Sequence, residues 1–372
     1  MAIKDLSVNG YRSVREIYLE LRDVNVLVGP NGCGKSNLYR SMYLLHAAAS
    51  GELARAIAEE GGMPSVLWAG HPELQPRRPG EPVRIKLGVT VGSLQYELVV
   101  GLPAPGDPYL AFKLDPRVKE ESVWFCDNGK KQQLLERKPT SLWIRDASGK
   151  RATYTWTLTP FESVLTQLVD PHRFPQISAL RDEMVRWRFY HQFRTDPDAP
   201  IRHPQVGVYT PQLAHDGRDL AASLSTIYGN PLLHESIARG LGGARLTVGA
   251  DERQRFTILL EMPGIGRPFD GRELSDGTLR YLCLLAALLS PKLPSLLALN
   301  EPETSLHPDL NEPLARLIAV AAKSTQLWIT THSADLATRI ERHAGVSPIE
   351  LERVNGVTLL KGGAFGGTMG LI

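Results

Sequence analysis

Apolar and polar positions alternate in Ile3-Lys4-Asp5-Leu6-Ser7-Val8 and in Ile17-Tyr18-Leu19-Glu20-Leu21. A period of two predicts strands, here of a short antiparallel sheet. Val24-Asn25-Val26-Leu27-Val28 is a third, more apolar strand run, and Leu38 to Glu60, rich in Ala, Leu and Glu, predicts a helix closing at Gly61-Gly62. Pro, Gly and Arg make 64–82 a loop. Residues 83–160 alternate again, as in Val83-Arg84-Ile85-Lys86-Leu87 and Tyr96-Glu97-Leu98-Val99-Val100, with Pro-Gly breaks that predict a β-rich lobe. Residues 161–240 turn mainly helical, Arg245 to Leu260 returns to strand alternation, and from Leu274 the order helix, strand, helix, strand is the α/β pattern. The expected organisation is 1–160, an N-terminal lobe; 161–273, a helical lobe with return strands; and 274–372, an α/β segment and tail. No internal repeat or long heptad run is visible. The Gly-rich stretch 362–367 reads as a tail or a tight turn.

The 372 residues are 42% hydrophobic and 22% charged, an ordinary globular balance with enough chain for two lobes around sizeable cores. A net charge of +2 excludes a global basic excess, so any nucleic-acid surface must be local. Cys33, Cys126 and Cys283 are too few and too scattered for a disulfide framework or metal cluster and suit a reducing compartment. The N-terminus lacks the basic and apolar regions of a signal peptide, and the longest apolar run, Tyr281 to Leu289, is too short to span a bilayer. A cytoplasmic protein without a membrane partner is expected.

The strongest chemical signal is Gly29-Pro30-Asn31-Gly32-Cys33-Gly34-Lys35-Ser36, with a strand before it and helix formers from Asn37 after it. Glycines at these positions turn backbone N–H groups toward phosphate oxygens, and the helix they open favours an anion at its start. Lys35 would reach the β- and γ-phosphates and Ser36 would hold Mg²⁺. At Cys33 the backbone N–H matters more than the thiol. Tyr11, Arg12 and Ser13, on the turn between the first strands, are candidates to approach adenine or ribose. No Asn-Lys-x-Asp guanine reader is present, which disfavours a GTPase.

A phosphate loop does not say what the nucleotide is for. Leu296-Leu297-Ala298-Leu299 reads as a buried strand ending in Asn300-Glu301-Pro302-Glu303, and Gln326 to Thr331 as another ending in His332-Ser333. Polar groups thus fall at the carboxyl ends of strands, where α/β sheets place ligands. Leu274-Ser275-Asp276-Gly277-Thr278 opens a helix that Ser275 is placed to cap.

At these residues the chain resembles the ABC-type ATPase heads of the RecF/SMC group and their compact AAA-type relatives, which include the ATPase part of OLD-family nucleases. The resemblance covers the motif-bearing ends, 1–50 and 270–335. Four motifs stand in the family's order: GPNGCGKSN, LSDGT, LLALNEPETSLHP and TTHS. It implies an α/β P-loop NTPase of ABC/SMC-head type, with an antiparallel β subdomain and a helical lobe, that uses ATP and Mg²⁺. It further implies an ATP-dependent homodimer, in which Ser275 and Gly277 of one protomer close on the γ-phosphate held by Lys35 of the other.

Hydrolysis needs an oriented water and donors for the charge spread over the γ-phosphate, which makes Glu301 the candidate to polarise the water and His332 to sense the phosphate. Asn300 stands where most such ATPases carry the Mg²⁺-side aspartate and supplies a carbonyl oxygen without a charge, so slow turnover is expected. Alternatively, Glu301 serves the metal and Glu303 acts on the water. Asp276 and Thr278 depart from the transporter signature. Gln95 and Gln192 are equal candidates for the loop coupling nucleotide to the rest of the head.

Arg181 to Arg194 interleaves arginines with aromatics, which suits either nucleic-acid binding or an amphipathic helix with its rings turned inward. Two roles follow for the ATPase: DNA maintenance or repair, with closure clamping DNA, or regulation of a separately encoded effector, such as a nuclease, in a defence or toxin-like system.

Overall fold

The computed structural model describes residues 1–71, 82–104, 110–146, 148–154 and 158–362. The alternating N-terminal runs form β1 (Ile3–Tyr11) and β2 (Val14–Glu20), and the apolar run forms β3 (Val24–Val28). The expected long helix is two, α1 (Lys35–Ser50) and α2 (Leu53–Glu59). Gly51, at φ 84°, donates its N–H back to Ala47 O and ends α1 as a left-handed cap. A single turn, α3 (Met63–Val66), stands where only loop was expected, and 72–81 of that stretch lie outside the described residues. The β-rich segment contains β4 (Arg84–Val91), β5 (Leu94–Gly101), β6 (Arg117–Asp127), β7 (Lys130–Lys138), β8 (Ser141–Arg145) and β9 (Arg151–Tyr154).

The next stretch is less helical than its composition predicts. It holds α4 (Val164–Gln167), α5 (Pro175–Val185), β10 (Arg188–Tyr190), β11 (Gln205–Val206), α6 (Leu220–Thr226) and α7 (Pro231–Gly240). β12 (Arg245–Ala250), β13 (Arg255–Glu261) and β14 (Phe269–Asp270) follow. The last part alternates as expected: α8 (Asp276–Leu288), β15 (Leu296–Asn300), α9 (Asn311–Ala321), β16 (Gln326–Thr330) and α10 (Ala334–Ala344). A hairpin of β17 (Ile349–Val354) and β18 (Val357–Leu360) comes after them.

These elements make two compact units, each assembled from segments distant in sequence. The first comprises 1–22, 29–187 and the chain from Ile349; the second comprises Asp23–Val28 and Arg188–Pro348.

In the first unit an eight-stranded sheet runs β2-β1-β4-β5-β6-β7-β8-β9, all antiparallel. Register pairs Leu87 with Leu98 and Val89 with Tyr96, so the apolar half of each alternation faces one core. Glu121 is fully buried there and accepts from Arg137 Nη1 (3.0 Å), Tyr96 OH (2.7 Å), Ser163 Oγ (2.6 Å) and Val164 N (2.9 Å). A buried carboxylate persists only with such a set of donors, and this one pins the sheet to the start of α4.

In the second unit β10, β15, β16 and β3 lie side by side and parallel, with Leu297 opposite Leu327 and Ile329 opposite Val26. All of β16 is buried, which explains why it reads as a continuous apolar run rather than an alternation. α8 is buried on every side from Tyr281 to Leu288, the mark of a central helix. β12 and β13 form a hairpin whose outer edge pairs with β11 and β14. The architecture is the expected α/β one with an antiparallel β subdomain. Among the described residues no helix is long and apolar enough to cross a membrane.

Candidate functional site

Directly after β3 the chain enters the loop Gly29–Ser36. α1 starts at Lys35 with Gly34 as its cap at φ 111°, with no side-chain cap bond and no acidic residue in its first turn. N–H groups at such a start have no intrahelical partner, and an anion is what they accept. Lys35 is 4% exposed and donates through Nζ to Gly29 O (2.6 Å) and Pro30 O (3.2 Å). Two backbone carbonyls hold the ammonium within the loop, while Ser36 stays exposed. This donor set fits a triphosphate and a metal-bound hydroxyl.

The C-terminal hairpin braces the loop. A Cβ on Gly34 would lie 2.2 Å from Thr358 Oγ1, so only glycine fits there. Thr358 Oγ1 is 2.7 Å from Ser13 Oγ, which in turn accepts from Asn37 Nδ2 (2.7 Å). Asn37 therefore spends its amide on the scaffold. Tyr11 is fully buried with its hydroxyl on Glu60, and Arg12 pairs with the same carboxylate at 2.8 Å. Of the three candidates to approach adenine or ribose, Tyr11 has its ring buried in the core.

In the second unit the carboxyl ends of β15 and β16 gather the other polar residues. Asn300 pairs in register with Thr330, and its Oδ1 accepts from Thr330 Oγ1 (2.7 Å), leaving one lone pair. Glu301 holds φ 48°, unusual for a residue with a side chain, and donates its N–H to Thr330 O (2.8 Å). Glu303 is buried. Its Oε1 accepts from Thr331 Oγ1 (2.6 Å), His332 N (3.0 Å) and Ser333 N (3.2 Å). His332 Nδ1 lies 3.2 Å from Glu303 Oε1 and 4.0 Å from Glu301 Oε2, with its side chain 48% exposed. Ser333 caps α10. A cavity of about 30 Å³, large enough for a water, is lined by Tyr190, Gln192, Arg280, Asn300, Glu301 and Thr304. Gln192 thus shares a cavity with Asn300 and Glu301. Gln95 instead sits on β5 of the other unit, with Nε2 on Glu97.

Ser275 caps α8 by accepting from Thr278 N (3.2 Å). Sequence patterns did not single out Arg202, which holds this signature turn from behind. Its guanidinium donates to Leu274 O (2.7 Å), Thr195 O (2.9 Å) and Asp276 Oδ1 (2.6 Å), and its side chain is only 10% exposed. A lone arginine 72 residues before Leu274 carries no local signal of that role. A Cβ on Gly277 would lie 2.5 Å from Ser305 O. Gly277→Ala should therefore cost about 1–3 kcal/mol in urea unfolding. Gly266→Ala, where nothing lies within 4 Å, should leave the midpoint unchanged; equal midpoints for both variants would refute the close contact.

Only the first part of the arginine–aromatic run, Arg181–Val185, is helical. α5 ends at Val185, and Arg188–Tyr190 is β10, the edge strand of the parallel sheet, with Phe189 opposite Ala298. Trp187, Phe189, Tyr190 and Phe193 are buried and cannot stack on bases. The basic surface lies elsewhere. Residues 128–154 contain seven basic side chains and two acidic ones. Lys130, Lys131, Lys138, Lys150 and Arg151 are exposed. Lys131 lies over the Trp124 ring (4.1 Å) and Arg151 over Trp143 (3.9 Å).

A family model described as "AAA domain, putative AbiEii toxin, Type IV TA system" matches residues 24–337. No curated protein matches the chain. Similar solved structures include an SMC head bound to the C-winged helix domain of ScpA, at 14% identity and TM-score 0.48, covering 97% of both chains. The SMC head domain from Thermotoga maritima is 17% identical, with TM-score 0.45 over 97% of this chain and 98% of that one. An SMC head with an extended coiled coil, bound to the C-terminal domain of ScpA derived from Pyrococcus furiosus, is 12% identical, with TM-score 0.46 over 96% and 95%.

Proposed function

The chain belongs to the AAA-domain family described as putative AbiEii toxins of type IV toxin–antitoxin systems, and from that premise we propose that it binds ATP with Mg²⁺, hydrolyses it slowly and closes as a homodimer. The observation that carries this reading is the uncapped start of α1 beside the buried Lys35. Backbone N–H groups of the loop, Pro30 excepted, bind the phosphate oxygens, and Lys35 donates to the β- and γ-phosphates. By the family resemblance, Ser36 and Asn300 would be the residues to hold Mg²⁺. The metal, when bound, neutralises charge on the phosphate oxygens. Glu301, at the cavity, orients the water, and His332 meets the γ-phosphate. Asn300 brings no charge to the metal, which limits the rate. Ser275, exposed at the start of α8, and Gly277 close on the triphosphate of a second copy. Three free cysteines support a reducing, cytoplasmic setting.

Two outputs have support. The exposed lysines of β7 and the turn before β9 support coupling to DNA in maintenance or repair, since phosphate neutralisation needs a local cluster of this kind. The family description supports a regulatory ATPase that controls a separate effector in a toxin-like system. Turnover and particle mass measured with and without ATP and duplex DNA, across a salt series, separate the two. DNA stimulation that falls steeply with salt favours the first. Turnover indifferent to DNA favours the second. If mass does not change with ATP at any salt, the dimer is refuted.

A further inference from the structure

Resting on the ATPase reading above, we propose that Glu303 is a positioning residue for His332 that keeps the ring proton on Nδ1 and leaves Nε2 to meet the γ-phosphate. Three donors converge on Glu303 Oε1: the Thr331 hydroxyl and the backbone N–H groups of His332 and Ser333. They lock the carboxylate at the foot of the loop that carries the histidine. His332 Nδ1 is 3.2 Å from that same oxygen. A carboxylate oxygen accepts, and a ring proton on Nδ1 would face it at this distance. A neutral imidazole has one N–H, and fixing it on Nδ1 makes Nε2, on the far edge of the ring, the acceptor. Carboxylates orient metal-bound histidines by the same logic.

The geometry separates Glu303 from a water-activating base. Its side chain is 7% exposed, and its Oε2 is buried without a hydrogen-bond partner among the described residues. Glu301 is 34% exposed and lines the cavity. A base must reach the proton it removes, and Glu301 has the access that Glu303 lacks.

The test uses the full chain labelled with ¹⁵N-histidine, with His332→Gln to assign the ring signals at a pH where the ring is neutral. The expected result is the Nδ1–H form in the wild type and in Glu303→Gln, whose amide oxygen still accepts, and a shift toward Nε2–H in Glu303→Ala. A wild-type ring in the Nε2–H form, or an alanine variant that keeps Nδ1–H, overturns the proposal. Should the alanine variant fail to fold, Glu303→Gln decides through turnover. Nucleotide affinity within about twofold and at least about a tenth of the wild-type rate are expected of a hydrogen-bonding role. A loss beyond about 100-fold at unchanged affinity identifies a catalytic carboxylate and overturns it. Because the ring signals need no hydrolysis, a wild type without turnover removes the ATPase reading and leaves the Glu303–His332 result standing.

Discussion

Lys35→Ala should weaken binding of a fluorescent ATP analogue by about 100-fold, roughly 3 kcal/mol, and lower phosphate release by about 1,000-fold. The ammonium is 4% exposed and is held by the carbonyls of Gly29 and Pro30, so its position is prepared before any phosphate arrives. Alanine leaves the backbone N–H groups of the loop in place and removes only the charge-assisted donor, which separates this residue's part from that of the loop. The thermal midpoint should change by no more than a few degrees, because both hydrogen bonds of the Lys35 ammonium are to its own loop. ATP bound by the variant with wild-type affinity would remove the loop from the functional reading.

Glu301→Gln should have an equally large effect of a different kind. Turnover should fall by about 100- to 1,000-fold while ATP stays bound, and dimers should accumulate in light scattering because closure is no longer released by hydrolysis. Gln matches Glu in size and keeps the backbone at φ 48° under the same constraint from Thr330 O, so lost turnover reports on the carboxylate and not on a rearranged turn. The contrast with Glu303→Gln is the sharper measurement: two carboxylates two residues apart, one at a cavity and one clamped beneath a loop, should differ by at least tenfold. If the Glu301 variant turns over normally and the Glu303 variant does not, the carboxylates exchange roles.

Much of the candidate site is legible because each part is a short contiguous run with a physical signature. The phosphate loop shows as spaced glycines ahead of a helix, and β15 and β16 show as apolar runs that stop at polar residues. The Arg188–Tyr190 strand was not legible. Its arginines and aromatics fit a helix or a binding surface equally well, and only pairing with β15 makes it a strand, at the edge of the sheet with its rings buried. The β17–β18 hairpin carried a readable sign that went unused: Asn355-Gly356, at φ 49° and 82°, between two alternating runs. Because that hairpin supplies the Thr358 that forbids a side chain on Gly34, the glycine has a second reason to be there beyond phosphate approach.

From its sequence alone the protein is determined as an α/β chain with a triphosphate loop and with Asn300, Glu301 and His332 at strand ends, because period, turn chemistry and loop spacing act over a few neighbouring residues. Tertiary structure alone decides the rest. Tyr11 turns into the core, Gln192 and not Gln95 joins Asn300 and Glu301, Arg202 holds the signature turn, and Glu303 lies under His332. Each of these depends on which distant segments close on one another. Burial then decides whether a side chain faces water, a ring or a ligand, and no local pattern carries that information.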